Sequence, residues 1–371
     1  MRQSLTNITL RGFKTIKNLS RFAPGAISIL IGPNGAGKTN FISFFRLLSW
    51  ALTPPGNLQR HVAELGGASM LLHDGPERTR EIEAALTLTT DAGQNEYEFR
   101  LFYAAGDTLA FAEERYRFSR SSFGTKANWT NLDVGHKEPR LVAKAAEGDV
   151  TAKTILSMLR RIIIHQFHNT SLTARMRNKW DADDGRWLKE DAANLAPFLY
   201  RLQRVAPTYY RRIVDTIRLI LPFFADFELE PEFGQLLLRW RELNSDRLFS
   251  ASQAADGMLR VMALVALLQQ PEADLPEVLI LDEPELGLHP VAIETVAQLI
   301  RSASTQVQVI VATQSVSLID QFDAEHIVVV DRSARESTFR KFAETDLRDW
   351  LKEYTLSELW EKNVIGGRPS T

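Results

Sequence analysis

The chain has 371 residues, is 44% apolar, carries a net charge of −2 and contains no cysteine. Disulfides and cysteine-ligated zinc are therefore excluded, and so near-neutral a chain exerts no global pull on nucleic acid, leaving only local patches for such contact. No apolar run reaches the length of a transmembrane helix, and Met1 to Leu10 lack a secretory core, so a cytoplasmic protein with no membrane association is expected.

An opening strand is expected over Ser4 to Arg11, and the β-branched run Ile27 to Ile31 reads as a buried strand. Next comes Gly32-Pro33-Asn34-Gly35-Ala36-Gly37-Lys38-Thr39, a full match to G-x-x-x-x-G-K-[ST], followed by Asn40. Apolar residues then recur at helical spacing from Phe41 to Leu52. Strand, glycine turn and helix are the context a phosphate cradle needs. Glycines let successive N–H groups converge on an anion, and the helix N-terminus adds partial positive charge. Lys38 can reach β- and γ-phosphates, and the Thr39 hydroxyl can ligate Mg²⁺.

Alternating runs at Glu81 to Thr90, Glu96 to Ala104 and Leu109 to Arg117 predict an antiparallel β-meander flanking the nucleotide. They close a first lobe over residues 1–120. A mainly helical insertion is expected over 121–249, with 121–150 as loop. It should hold a helix over Thr151 to Arg161, a short strand over Ile162 to Ile164, and helices over Leu188 to Leu202 and Pro207 to Ile220. It is too short, and too poor in heptads, for a long coiled-coil arm. Between 151 and 220 stand thirteen Lys/Arg against six Asp/Glu. Arg160, Arg161, Arg175, Arg177 and Lys179 lie near Trp180 and Trp187, and Arg211 and Arg212 follow Tyr209 and Tyr210. Basic groups interleaved with aromatics suit DNA, although a solvated helix face has the same composition. His165 and His168, three apart on an extended chain, point to opposite faces and do not read as co-ligands. Asp181, Asp183 and Asp184 read as a solvated acidic loop.

The second lobe spans 250–335 and a partly helical tail 336–371. Ser252 to Arg260 opens an apolar helix that runs to Leu268. Val278 to Leu281 reads as a central strand delivering Asp282 to its C-terminal end, where ligands bind in open α/β sheets. There Asp282 can hold Mg²⁺ and Glu283 can orient the attacking water. Glu285-Leu286-Gly287-Leu288-His289-Pro290 follows, and Val307 to Thr313 is a further strand closed by Gln314.

In this order of cradle, signature, Asp-Glu pair, D-loop and switch strand, the chain resembles the SMC/RecF-like branch of ABC-type ATPases. The nearer likeness is to stand-alone ATPases related to the nucleotide-binding part of OLD-family nucleases, down to the tail from Tyr354 through Pro369. The resemblance implies an α/β P-loop fold of ABC/SMC-head type and an ATP–Mg²⁺-dependent homodimer. Each ATP would touch one chain's cradle and, from the other, Asp256 and Gly257. Gln314 would sense the γ-phosphate. It also implies DNA surveillance, repair or anti-phage defence with a separate effector of TOPRIM-nuclease type. Beyond Asp331 the sequence has 40 residues, below the roughly 50 of an ordinary domain, so no nuclease domain is expected in this chain.

Two residues depart from the family pattern. Ala255 stands where a serine usually precedes Asp-Gly, and Gln314 where a histidine usually ends the switch strand. Slow turnover is the expectation, and a non-hydrolysing, ATP-gated scaffold is the alternative.

Overall fold

The computed structural model describes residues 4–53, 56–121 and 126–367, so Arg368 and Pro369 of the tail lie outside the described residues. The chain opens with β1 (Ser4–Phe13), β2 (Ile16–Phe22), β3 (Ile27–Ile31), α1 (Lys38–Ala51) and α2 (Leu58–Glu64). The meander follows as β4 (Glu81–Thr90), β5 (Gly93–Ala104), β6 (Thr108–Arg120) and β7 (Thr130–Asn131). These strands make a six-stranded antiparallel sheet in the order β2-β1-β4-β5-β6-β7. Alternation along β4 turns Ile82, Ala84, Leu86 and Leu88 inward. On β5 and β6, cross-strand pairs Arg100–Glu113, Arg115–Glu98 and Arg117–Glu96 add charge complementarity.

Next come α3 (Arg140–Ala146), α4 (Val150–Arg160), β8 (Ile162–His165), β9 (Trp180–Asp181), α5 (Leu195–Val205) and α6 (Pro207–Ile220). Strands β10 (Phe224–Phe227), β11 (Gln235–Leu236), β12 (Arg239–Glu242) and β13 (Leu248–Ser250) lead to α7 (Asp256–Leu268). The last third holds β14 (Val278–Asp282), α8 (Pro290–Ser304), β15 (Gln308–Thr313), α9 (Val316–Ile319), β16 (Ile327–Ser333), β17 (Glu336–Lys341), α10 (Glu344–Leu347) and α11 (Leu356–Glu361).

A second six-stranded sheet has the order β17-β16-β3-β15-β14-β8, parallel except for its β17 edge. Every residue of β3, β14 and β15 is buried, which is why these strands read as largely apolar runs. Their side chains divide by the two-residue period. Ile29, Ile31, Leu279 and Leu281 join the core beneath α5 to α8 and α11, whereas Leu30, Val278 and Ile280 join the core beneath α1 and the meander.

Four expectations need correcting. Within the expected 121–249 insertion, β8 pairs in parallel with β14, Ile162 opposite Val278, so the nucleotide-binding sheet extends through His165. The 121–150 stretch expected as loop contains α3, whose first N–H groups, at Arg140 and Leu141, are accepted by the buried Glu114. The helix expected from Leu188 starts at Leu195, because the Asn194 side chain ties Lys189, Asp184 and Trp187 into a compact turn. The expected helices are joined by an antiparallel sheet, β10-β12-β13, and a two-stranded β9-β11 ribbon. The tail is also more ordered than its composition implies, since β17 extends the main sheet.

Candidate functional site

The phosphate loop bridges β3 and α1 as its sequence requires. Gly37 sits at φ 116°, and a β-carbon there would stand 2.1 Å from Ser337 Oγ. The back of the loop is braced by polar contacts. Asn40 Nδ2 donates to Thr15 Oγ1 at 2.8 Å, and the Ser337 hydroxyl donates to the Ala36 carbonyl at 2.5 Å. Asn34, Gly35 and Thr39 are exposed, whereas Ala36 and Lys38 are buried. Lys38 Nζ donates to the carbonyls of Gly32 and Pro33. Burial pulls its pKa below the usual lysine range, while Glu283, Asp282 and Glu285 oppose that shift. An ammonium hydrogen-bonded, among the described residues, to two carbonyls beside an open loop is suited to meet a phosphate.

Asp282 ends β14 and is 4% exposed. Gln166 Nε2 donates to its Oδ2 at 3.0 Å, and His168 Nε2 lies 3.0 Å from its carbonyl. Arg46 of α1 donates to Gln166 Oε1 at 3.1 Å, so the amide is held from both ends. Burial raises the Asp282 pKa, with His168, Arg46 and Lys38 acting against it. Glu283 adopts φ 44°, a left-handed conformation rare for a residue with a side chain. Gln314 Nε2 stands 3.4 Å from Glu283 Oε2, which brings the two together. The hard oxygens of Thr39 and Asp282 suit Mg²⁺.

The signature segment occupies a different place. Asp256 and Gly257 form the first turn of α7, and Asp256 accepts from Arg177 Nη2 at 3.0 Å. A β-carbon on Gly257 would stand 2.7 Å from the Gly287 carbonyl, so glycine allows α7 to approach the D-loop closely. Arg260, one turn on, donates to the carbonyls of Phe167, His168 and Leu286 at 2.9–3.0 Å. Asp256 and Gly257 thus engage Arg177 and the D-loop. Ala255 is the N-cap of α7 and supplies no side-chain cap.

Sequence reasoning missed Gln166, His168, Arg46 and Arg260. The signal for the first two was the strand preceding them: once β8 is placed in the main sheet, residues 166–168 leave its C-terminal edge beside Asp282. The basic residues expected to meet DNA are largely engaged within the chain. Arg160 donates to the Leu52 carbonyl, and Arg161, Arg175 and Lys179 pair with Glu277, Asp191 and Glu232. Arg177 is buried and braces Thr170, Ala254 and Asp256. Among the described residues, no group of three or more His, Cys, Asp or Glu could hold a metal ion, and no helix is long and apolar enough to cross a membrane.

Comparison with known proteins agrees with this geometry. The fold matches an SMC head bound to the C-winged helix domain of ScpA, at 15% identity over 93% of this chain and 99% of that one, with a TM-score of 0.61. It also matches an SMC head domain with an extended coiled coil, bound to the C-terminal domain of ScpA and derived from Pyrococcus furiosus, at 14% identity over 95% and 99% (TM-score 0.59). A third match is the SMC head domain from Thermotoga maritima, at 15% identity over 92% and 100% (TM-score 0.52). At these identities the likeness is one of fold. No protein with a curated description matches. The fold is thus that of an SMC-head P-loop ATPase, and the model of the family described as "AAA domain, putative AbiEii toxin, Type IV TA system" matches residues 27–320, so the chain belongs to that family.

Proposed function

We propose that this ATPase is a switch that closes as a homodimer around ATP–Mg²⁺ and opens after hydrolysis. The observation that carries this reading is the convergence of Lys38, Asp282, Glu283, Gln314 and Gln166 at one edge of the parallel sheet. The backbone of Gly32 to Thr39 binds the phosphates and Lys38 leaves its carbonyls for the β/γ oxygens. Thr39 and Asp282 would hold Mg²⁺, which when bound would offset the charge developing between the β- and γ-phosphates. Gln166 keeps Asp282 oriented. Glu283 polarises the attacking water, and the Gln314 amide donates a hydrogen bond without positive charge. Asp256 and Gly257, presented on α7, complete the site of the partner subunit.

The output is the shape of the dimer, read by a separate effector such as a TOPRIM-type nuclease. A family description that names a putative toxin favours defence over DNA repair as the setting. DNA contact at 151–220 is the less supported arm. It would rest on Arg186, Arg204, Arg211 and Arg212, which have no carboxylate partner among the described residues. A second reading, an ATP-gated scaffold without turnover, is favoured by the bare N-cap at Ala255 and the uncharged Gln314. Phosphate release separates the two. Glu283→Gln should lower it roughly a hundredfold or more, as should Lys38→Ala. Equal, negligible release from wild type and both variants would establish the scaffold.

A further inference from the structure

The segment after β17 returns to the phosphate loop. Helix α11 opens with a capping box: Thr355 accepts from the Glu358 N–H, and the Glu358 carboxylate accepts from the Thr355 N–H. The Ser357 N–H and hydroxyl donate to the Asp320 carboxylate at 2.9 and 2.6 Å, fixing α11 to the end of α9. Leu359, Trp360 and Ile365 are buried in the same core as Val329. The helix ends at Glu361, and past its cap at Lys362 the chain turns at Asn363, φ 59°, with the Val364 N–H bonded back to the Leu359 carbonyl at 2.9 Å. The chain then continues inward. Arg340 of β17 donates to the Ile365 carbonyl, and Trp360 Nε1 donates to the Gly367 carbonyl at 3.0 Å.

Gly367 is buried at φ 77°. A β-carbon there would stand 2.7 Å from Val329 Cγ1 and 3.8 Å from the Cα of Gly32, the first glycine of the phosphate loop. The β16–β17 hairpin grips the same loop at its next carbonyls. Arg332 Nη1 donates to Gly35 at 3.3 Å and Ser337 to Ala36 at 2.5 Å. One hairpin therefore joins the loop to the returning tail. A loop that binds phosphate through backbone N–H groups depends on the orientation of its peptide planes, so whatever abuts its first residue affects affinity.

We infer that Trp360 and Gly367 are positioning residues for the phosphate loop: the indole fixes the Gly367 carbonyl, and Gly367 holds Gly32 against Val330 in the middle of β16. This rests on the nucleotide-binding reading of that loop. By linkage, nucleotide must also report back to the strap. A merely core-filling tail would change stability when altered and leave the affinity of the folded protein untouched.

The test is calorimetric titration of the full chain with a non-hydrolysable ATP analogue and Mg²⁺, alongside tryptophan emission and thermal unfolding. Gly367→Ala should raise Kd roughly tenfold, a change of about 1.4 kcal/mol. Adding Val329→Ala removes the methyl it would strike and should recover part of the lost affinity, while the φ of 77° and Trp360 Nε1, 3.2 Å from the new carbon, keep Kd above wild type. Trp360→Phe, which removes only the N–H donor from a ring that still fills the core, should weaken binding in the same direction. Nucleotide should shift the tryptophan emission of the wild type, and Trp360→Phe should abolish that shift. Variants with a lower Tm but wild-type Kd, or an emission change that survives Trp360→Phe, overturn the inference alone. A wild-type chain that binds no nucleotide overturns it together with the reading it rests on.

Discussion

Burial pushes the Glu285 carboxyl up to about 7, while the Thr313 hydroxyl donates to Oε1 and Oε2 has no partner among the described residues. A carboxyl whose folded pKa exceeds its ordinary value contributes stability below that ordinary value, and loses the contribution as pH rises through the folded pKa. From 4.5 to about 7 the full effect is roughly 3 kcal/mol. Glu285→Gln should therefore flatten the fall in stability between about pH 5 and 8, as read by denaturant midpoints across that range. Parallel pH profiles for variant and wild type would contradict the account. At this scale the sequence was readable where chemistry dictates residue type, as for Lys38, Thr39, Asp282 and Glu283. Gln166 was not, because a glutamine between two histidines carries no signal until β8 is seen to pair with β14, 116 positions away.

Helix α7 connects the signature to the rest of the site through a single side chain. Arg260 donates to two carbonyls after β8 and one in the D-loop, so three segments share one guanidinium. Arg260→Ala leaves those acceptors unpaired and should cost about 1–3 kcal/mol in unfolding free energy. It should also slow phosphate release more than stability loss alone explains, because Gln166 and His168 follow the displaced segment. Arg260→Lys keeps the charge but not the three-way fork, and should restore stability only in part. Wild-type release in Arg260→Ala would show that α7 does not communicate with Asp282. Among the elements, β3, β4 to β6, β14 and β15 were legible because length, burial and periodicity agree. Strands β9 to β13 are two to four residues long and too short to show a period. The sheet membership of β8 depends on a non-local pairing that no local pattern records.

Across the whole molecule, one largely parallel sheet separates two cores, and the phosphate loop, Asp282, Glu283 and Gln314 lie at the C-terminal ends of its strands. The meander and α1 lie on one face, and α7, α8 and α11 on the other. The order of motifs made this architecture legible, because cradle and acids far apart in sequence must be neighbours for either to bind nucleotide. The return of the tail to Gly32 was hidden, since nothing local to Gly366-Gly367 records a contact with a residue more than 330 positions earlier. Asp256 and Gly257 contact Arg177 and Gly287, and in the proposed dimer they are offered to a second chain's phosphate loop, which makes the oligomeric response to ATP the most direct measurement. Light scattering on Glu283→Gln, with and without ATP–Mg²⁺, should show a mass that doubles only with nucleotide. A mass unmoved by ATP, in a variant that binds it, would contradict the ATP-closed dimer.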